Sequence, residues 1–147
     1  MNDSSKVRIH FKLEQDDDGY PPATVETLWG TPTDNGTFVI DSIPFFVKGI
    51  AAGDEVTVTR EENRLCFNER TKISDHSTIR TVFYQPAQIP QIRQTIEGFG
   101  CQSEWCDGYK LAAIDVPGKA DYEKVSEYLR ALAEREVVDY EESALRH

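Results

Sequence analysis

Ile43-Pro44-Phe45-Phe46-Val47-Lys48-Gly49-Ile50-Ala51-Ala52-Gly53-Asp54 is the stretch on which the fold reading turns. Its apolar cluster and two glycines imply a defined turn inside a packed structure. They do not imply a phosphate loop, because Gly49 to Gly53 is followed by neither a helix nor a lysine. Upstream, Val7 to Leu13 alternates apolar and polar residues, placing Val7, Ile9, Phe11 and Leu13 on one face of a strand. The run Glu14 to Gly19 ends that strand, and Tyr20-Pro21-Pro22 starts the next segment extended. Thr24 to Trp29 reads as a second strand, Asp34-Asn35-Gly36 as a hairpin turn, and Thr37 to Asp41 as a third strand. Downstream, Glu55 to Arg60 and Arg64 to Arg70 alternate as a hairpin around Glu61-Glu62-Asn63. About five strands without a helix predict a small curved sheet or partial β-barrel lobe over residues 1–75.

Beyond a boundary near Ser74-Asp75 the pattern changes. Thr78 to Tyr84 is a strand, and Ile89, Ile92, Ile96 and Phe99 recur at helical spacing before Gly98 and Gly100 close the helix. Two strands follow, near Cys101 to Trp105 and Lys110 to Val116, around a turn at Asp107-Gly108. Asp121 opens a second helix with the stripe Tyr122, Val125, Tyr128, Leu129 and Leu132, and Val137 to Glu141 alternates as a last strand. The order predicts a ferredoxin-like βαββαβ sandwich over residues 76–147, so the expected fold class is α+β: a β-rich N-terminal lobe, then that sandwich.

With 147 residues, 39% of them hydrophobic, the chain can build a core without staples. No apolar run is long enough for a membrane span, and the polar N-terminus shows no secretory signal, which makes the cytoplasm the expected compartment. The 26 acidic against 16 basic residues give a net charge of −10, which repels phosphates and argues against nucleic acid as a partner. The same charge steers the chain toward a basic protein surface, or serves solubility. Cys66, Cys101 and Cys106 read as reduced thiols, and neither they nor the histidines have metal-ligand spacing, so no metal or cofactor is expected.

Val7 to Phe11, Gly19-Tyr20-Pro21-Pro22, Val25 to Trp29, the Ile43-to-Asp54 stretch, His76 to Arg80 and Leu111 to Pro117 together resemble a family of small bacterial proteins classed as a domain of unknown function. The resemblance runs over nearly the whole chain, with the Ile-Pro-Phe-Phe-x-x-Gly-x-x-x-Gly-Asp signature as its most specific part. Proteins of this kind also resemble the small acidic immunity proteins of bacterial toxin systems. That implies a cognate toxin as partner and implies no particular site.

Asp75-His76-Ser77 holds the residue types of a hydrolase triad, but neighbours on an extended chain do not converge as a triad must, and a turn into the next strand explains them. No catalytic residue is therefore assigned. Asp16, Asp17, Asp18, Asp139, Glu141 and Glu142 offer carboxylates for a basic partner, calcium ligation being present only in fragment and solvated loop charge being the plain alternative. Trp29, Trp105, Tyr20, Tyr84 and Tyr109 are either anchors or core, with Trp105 and Tyr109 taken as partner-binding because they flank the turn. The resulting expectation is a non-catalytic binding protein, most specifically an immunity protein that binds a basic toxin domain. The alternative is a regulatory or small-ligand-binding domain with a pocket between the lobes, and an enzyme using His76 comes third.

Overall fold

Alternation of inward apolar and outward polar side chains builds most of this chain. The computed structural model describes residues 6–106 and 110–147, which separate into two units, Met1–Ser74 and Asp75–His147. In the first, β1 (Val7–Lys12), β2 (Val25–Pro32), β3 (Phe38–Ile40), β4 (Glu55–Glu61) and β5 (Arg64–Lys72) form a closed barrel. Antiparallel pairing runs from β1 through β5. Closure comes from parallel pairing of β1 with β5, at Ile9 with Leu65 and His10 with Cys66. Inside sit Ile9, Phe11, Leu28, Ile40, Val47, Ile50 and Val56. Closing the ring removes the free edges that a curved open sheet would leave to be paired by other chains.

The Ile43-to-Asp54 stretch links β3 to β4 without regular secondary structure, yet Ile43, Val47, Ile50 and Ala51 are buried. Two carboxylates hold it. Glu26 shares the inward phase of β2 with buried Leu28, and it accepts hydrogen bonds from the backbone N–H of Phe45 (2.7 Å), Phe46 (3.0 Å) and Val47 (2.9 Å). Asp54, fully buried, accepts from Ala51 N–H at 3.0 Å and Ser74 N–H at 2.9 Å. Backbone donors in a loop need such partners once water is withdrawn. Gly49 and Gly53 take φ of 78° and 86°, the left-handed region that a Cβ disfavours, and so let the loop reverse twice in a short span.

The second unit comprises β6 (Ser77–Phe83), α1 (Ile89–Gly98), β7 (Gln102–Cys106), β8 (Leu111–Val116), α2 (Tyr122–Glu134) and β9 (Val138–Ala144). Its four strands lie antiparallel in the order β7-β8-β6-β9, leaving β7 and β9 at the edges. Ile92 and Ile96 of α1 and Val125, Leu129 and Leu132 of α2 pack with Ile79, Phe83, Ala112, Ile114 and Val116 of the sheet. The Asp121 side chain caps α2 by accepting from Lys124 N–H.

The expected fold class is corrected by this architecture. Strands take 42% of the described residues and helices 19%, with a closed five-stranded barrel and a second sheet. The chain is mostly β, and not the expected α+β chain with a ferredoxin-like sandwich. The physical reason is that the strands extend further and the helices are shorter than the local periodicity suggests. The two α-helices span 10 and 13 residues, whereas β5 runs for nine residues and β9 continues three residues past Glu141, where the expected last strand stopped.

Leu129 is wholly buried between α2 and the sheet. Leu129→Ala should lower unfolding free energy by about 2–5 kcal/mol, the usual range for emptying a packed aliphatic site. Denaturant melts check this, and a loss below about 0.5 kcal/mol would contradict the assigned packing.

Candidate functional site at the β9 edge

Where α2 ends, the chain must reverse before entering β9. It does so through paired backbone bonds, Glu136 N–H to Ala133 carbonyl and Val137 N–H to Leu132 carbonyl, both 3.0 Å. This arrangement normally places glycine at the left-handed position. Here Glu136 occupies it, with φ of 59°. Val137 is buried, and its carbonyl accepts from Tyr84 N–H at 2.9 Å, which brings the residue after β6 beside the turn. Tyr84, Ala133, Glu136, Val138 and Asp139 then line an open groove of about 610 Å³. Tyr84 is 58% exposed although aromatic. An exposed ring beside two carboxylates suits a lysine or arginine side chain, which the ring attracts through its face and the carboxylates through charge.

Within the second unit, the residues expected to bind a partner divide between the two edge strands, Trp105 on β7 and Asp139, Glu141 and Glu142 on β9. Asp139 lies in the groove. Glu141, directly across from Arg80, forms an ion pair with that buried guanidinium. Glu142 accepts from the Tyr122 hydroxyl on α2, and burial together with this carboxylate pushes the phenol pKa far above its ordinary value. All three C-terminal acids thus have internal partners, Asp139 through the neighbouring Tyr140 N–H at 3.0 Å. Asp16, Asp17 and Asp18 are exposed in the loop between β1 and β2. Asp16 closes its own turn by accepting from Asp18 and Tyr20 N–H, both at 2.9 Å. Trp105 is half-buried, 4.7 Å from the Phe83 ring, with its indole N–H on Ser103 Oγ and the Arg93 guanidinium 5.9 Å from the ring. Tyr109, with the turn Asp107-Gly108, lies outside the described residues. Glu136 was not legible as a site residue. Its signal, a glutamate where a helix C-terminus calls for glycine, needs the helix end to be located within one residue.

Asp75-His76-Ser77 enters a second polar cluster. His76 Nδ1 lies 2.8 and 3.0 Å from the two oxygens of buried Asp115, and its Nε2 lies 3.8 Å from Asp75. Ser77 turns the other way, its Oγ meeting His147 Nδ1 at 2.7 Å and accepting from Arg146 N–H at 2.8 Å. His147 Nε2 is 2.8 Å from the Pro117 carbonyl, and the ring stacks on Tyr122. Serine and the carboxylate-bound histidine therefore belong to separate pairs, and Ser77 is fully buried. The triad geometry, with one histidine bridging nucleophile and acid, is not formed. Burial, with Asp115 adding to it, lifts the Cys101 thiol to about 11, which leaves that sulfur protonated and unreactive at neutral pH. Among the described residues, no three His, Cys, Asp or Glu side chains gather as metal ligands. No helix among them is long and apolar enough to cross a membrane.

Residues 26–140 match the family model of a domain of unknown function, DUF4265. No curated protein matches the chain. The fold is shared with a crystal structure of a hypothetical protein from Neisseria gonorrhoeae, at 24% identity, 95% coverage of both chains and a TM-score of 0.79. At that identity the likeness establishes the fold alone.

Burial raises the Asp115 carboxyl above its ordinary 3.8, a shift that the His76 bond opposes and only partly offsets. The native state then binds more protons here than the unfolded chain does. This contribution to stability is complete below 3.8 and is lost as pH rises through the folded value. Relative to Asp115→Asn, the wild type should lose stability with rising pH over that window in urea melts. A relative gain would show that the bond to His76 outweighs desolvation.

Proposed function

The chain belongs to the DUF4265 family, and we propose that it is a non-catalytic protein-binding domain that takes a basic protein as partner. The observation that carries this reading is the groove at the β9 edge, where exposed Tyr84 stands with Glu136 and Asp139. Glu136 supports it further. A non-glycine residue in the left-handed region costs roughly 1 kcal/mol, and strain of this kind concentrates where a side chain is needed. The net charge of −10 adds long-range steering toward a cationic surface. In its most specific form the partner is a cognate bacterial toxin that this chain occupies and neutralises. The acidic charge and the resemblance to immunity proteins support that form. The Ser77, His76 and Cys101 arrangements support a non-catalytic role, since each group is engaged in an internal contact or buried.

The test is co-purification from the native host, followed by binding kinetics with the recovered protein. A basic partner should associate more slowly as salt rises, and Glu136→Gln with Asp139→Asn should weaken binding about tenfold or more with little change in melting temperature. If it is a toxin, co-expression with this chain should restore growth. Binding indifferent to salt and to both substitutions would overturn the proposal.

A further inference from the structure

A groove of opposite character opens on the barrel unit. It has a volume of about 470 Å³ and is bounded by the end of β1, the Val47–Ile50 part of the linking stretch, and Phe67 to Arg70 of β5. Its floor is apolar. Phe11 and Phe67 stack with centroids 4.7 Å apart, beside Val47 and Ile50. Its rim is cationic, with Lys12, Lys48 and Arg70 against the single acid Glu69. Three cations to one acid inverts the balance of the whole chain, where 26 acids outnumber 16 bases.

The backbone shapes the groove as well. Pairing of β4 with β5 shifts register between Thr57/Glu69 and Val58/Phe67, leaving Asn68 as the extra residue of a bulge. Bulges re-aim neighbouring side chains, and this one accompanies Phe67 packing toward the barrel core while Asn68 to Arg70 stay exposed at the rim. Arg70 donates to the Gly49 carbonyl, which ties the rim to the linking stretch. The volume falls within the range of small-molecule sites, which combine an apolar lining with a few placed polar groups.

We propose that this groove binds a small organic anion, its carboxylate or phosphate held by Lys12, Lys48 and Arg70 and its apolar body lying against half-buried Phe67, which stacks on buried Phe11. The proposal stands independently of the protein-partner reading. It uses a different surface and the opposite charge.

The experiment is an amide NMR titration of the full chain with three probes that share one ring system: 2-naphthoate, 2-naphthyl phosphate and neutral 2-naphthalenemethanol. Saturable shifts confined to Val47–Ile50 and Phe67–Arg70 are expected for both anions, with Kd near or below about 1 mM and the alcohol at least about tenfold weaker. The tighter of the two anions assigns the headgroup. Lys12→Gln and Lys48→Gln replace exposed side chains, so the fold is retained, and each should weaken the anions severalfold while leaving the alcohol unchanged. Phe67→Ala should weaken all three, with its fold checked by the unshifted amides of the second unit and of β2. Equal affinity for alcohol and anions, shifts centred elsewhere, or no saturable shifts would each overturn the proposal.

Discussion

One carboxylate facing into a small barrel organises the first half of this chain. Glu26 occupies an inward position on β2 and collects three consecutive backbone N–H groups from Phe45, Phe46 and Val47. Hydrogen bonds to a charged acceptor contribute about 1.5–3 kcal/mol net each, and three on one carboxylate fix a loop that has no ladder of its own. With those amides satisfied, Ile43, Val47 and Ile50 can enter the core, and the loop then delivers Asp54 to its buried place against Ser74 N–H. The groove on the barrel unit is lined in part by Val47 to Ile50, the residues that follow the staple.

Much of this was legible in sequence. The alternation from Val7, the turn at Asp34-Asn35-Gly36 and the stripes Ile92/Ile96 and Val125/Leu129/Leu132 all report local periodicity, which short windows carry well. Ring closure was not, because it depends on Ile9 meeting Leu65 across 56 residues of chain, and no local pattern encodes that pairing. Nor was the role of Glu26, since a glutamate in the inward phase of a strand looks like a break in alternation until the donors that it serves are placed. The class assignment failed for a related reason. Two helical stripes are conspicuous to a periodicity reading, whereas strand extension at β5 and β9 comes from pairing partners distant in sequence.

The candidate site divided along the same line. Charge identified Asp139, Glu141 and Glu142 together, but strand geometry sends Glu141 to Arg80 and Glu142 to Tyr122. Glu136 joins Asp139 and Tyr84 only because a helix terminus and a strand start converge. The acidic runs were visible as composition, and their apportioning between internal pairing and open surface required three dimensions. Histidine and serine show the same effect, since His76 and Ser77 stand adjacent in the chain yet His76 meets Asp115 and Ser77 meets His147.

Side-chain carboxylates hold the Ile43-to-Asp54 stretch, and amide hydrogen exchange tests that most directly. In the wild type the Phe45, Phe46 and Val47 amides should exchange slowly although they lie outside any strand or helix. In Glu26→Ala these three should speed up by about tenfold or more, while the β8 amides in the second unit keep their rates. Equal exchange of the three amides in both proteins would contradict the carboxylate staple.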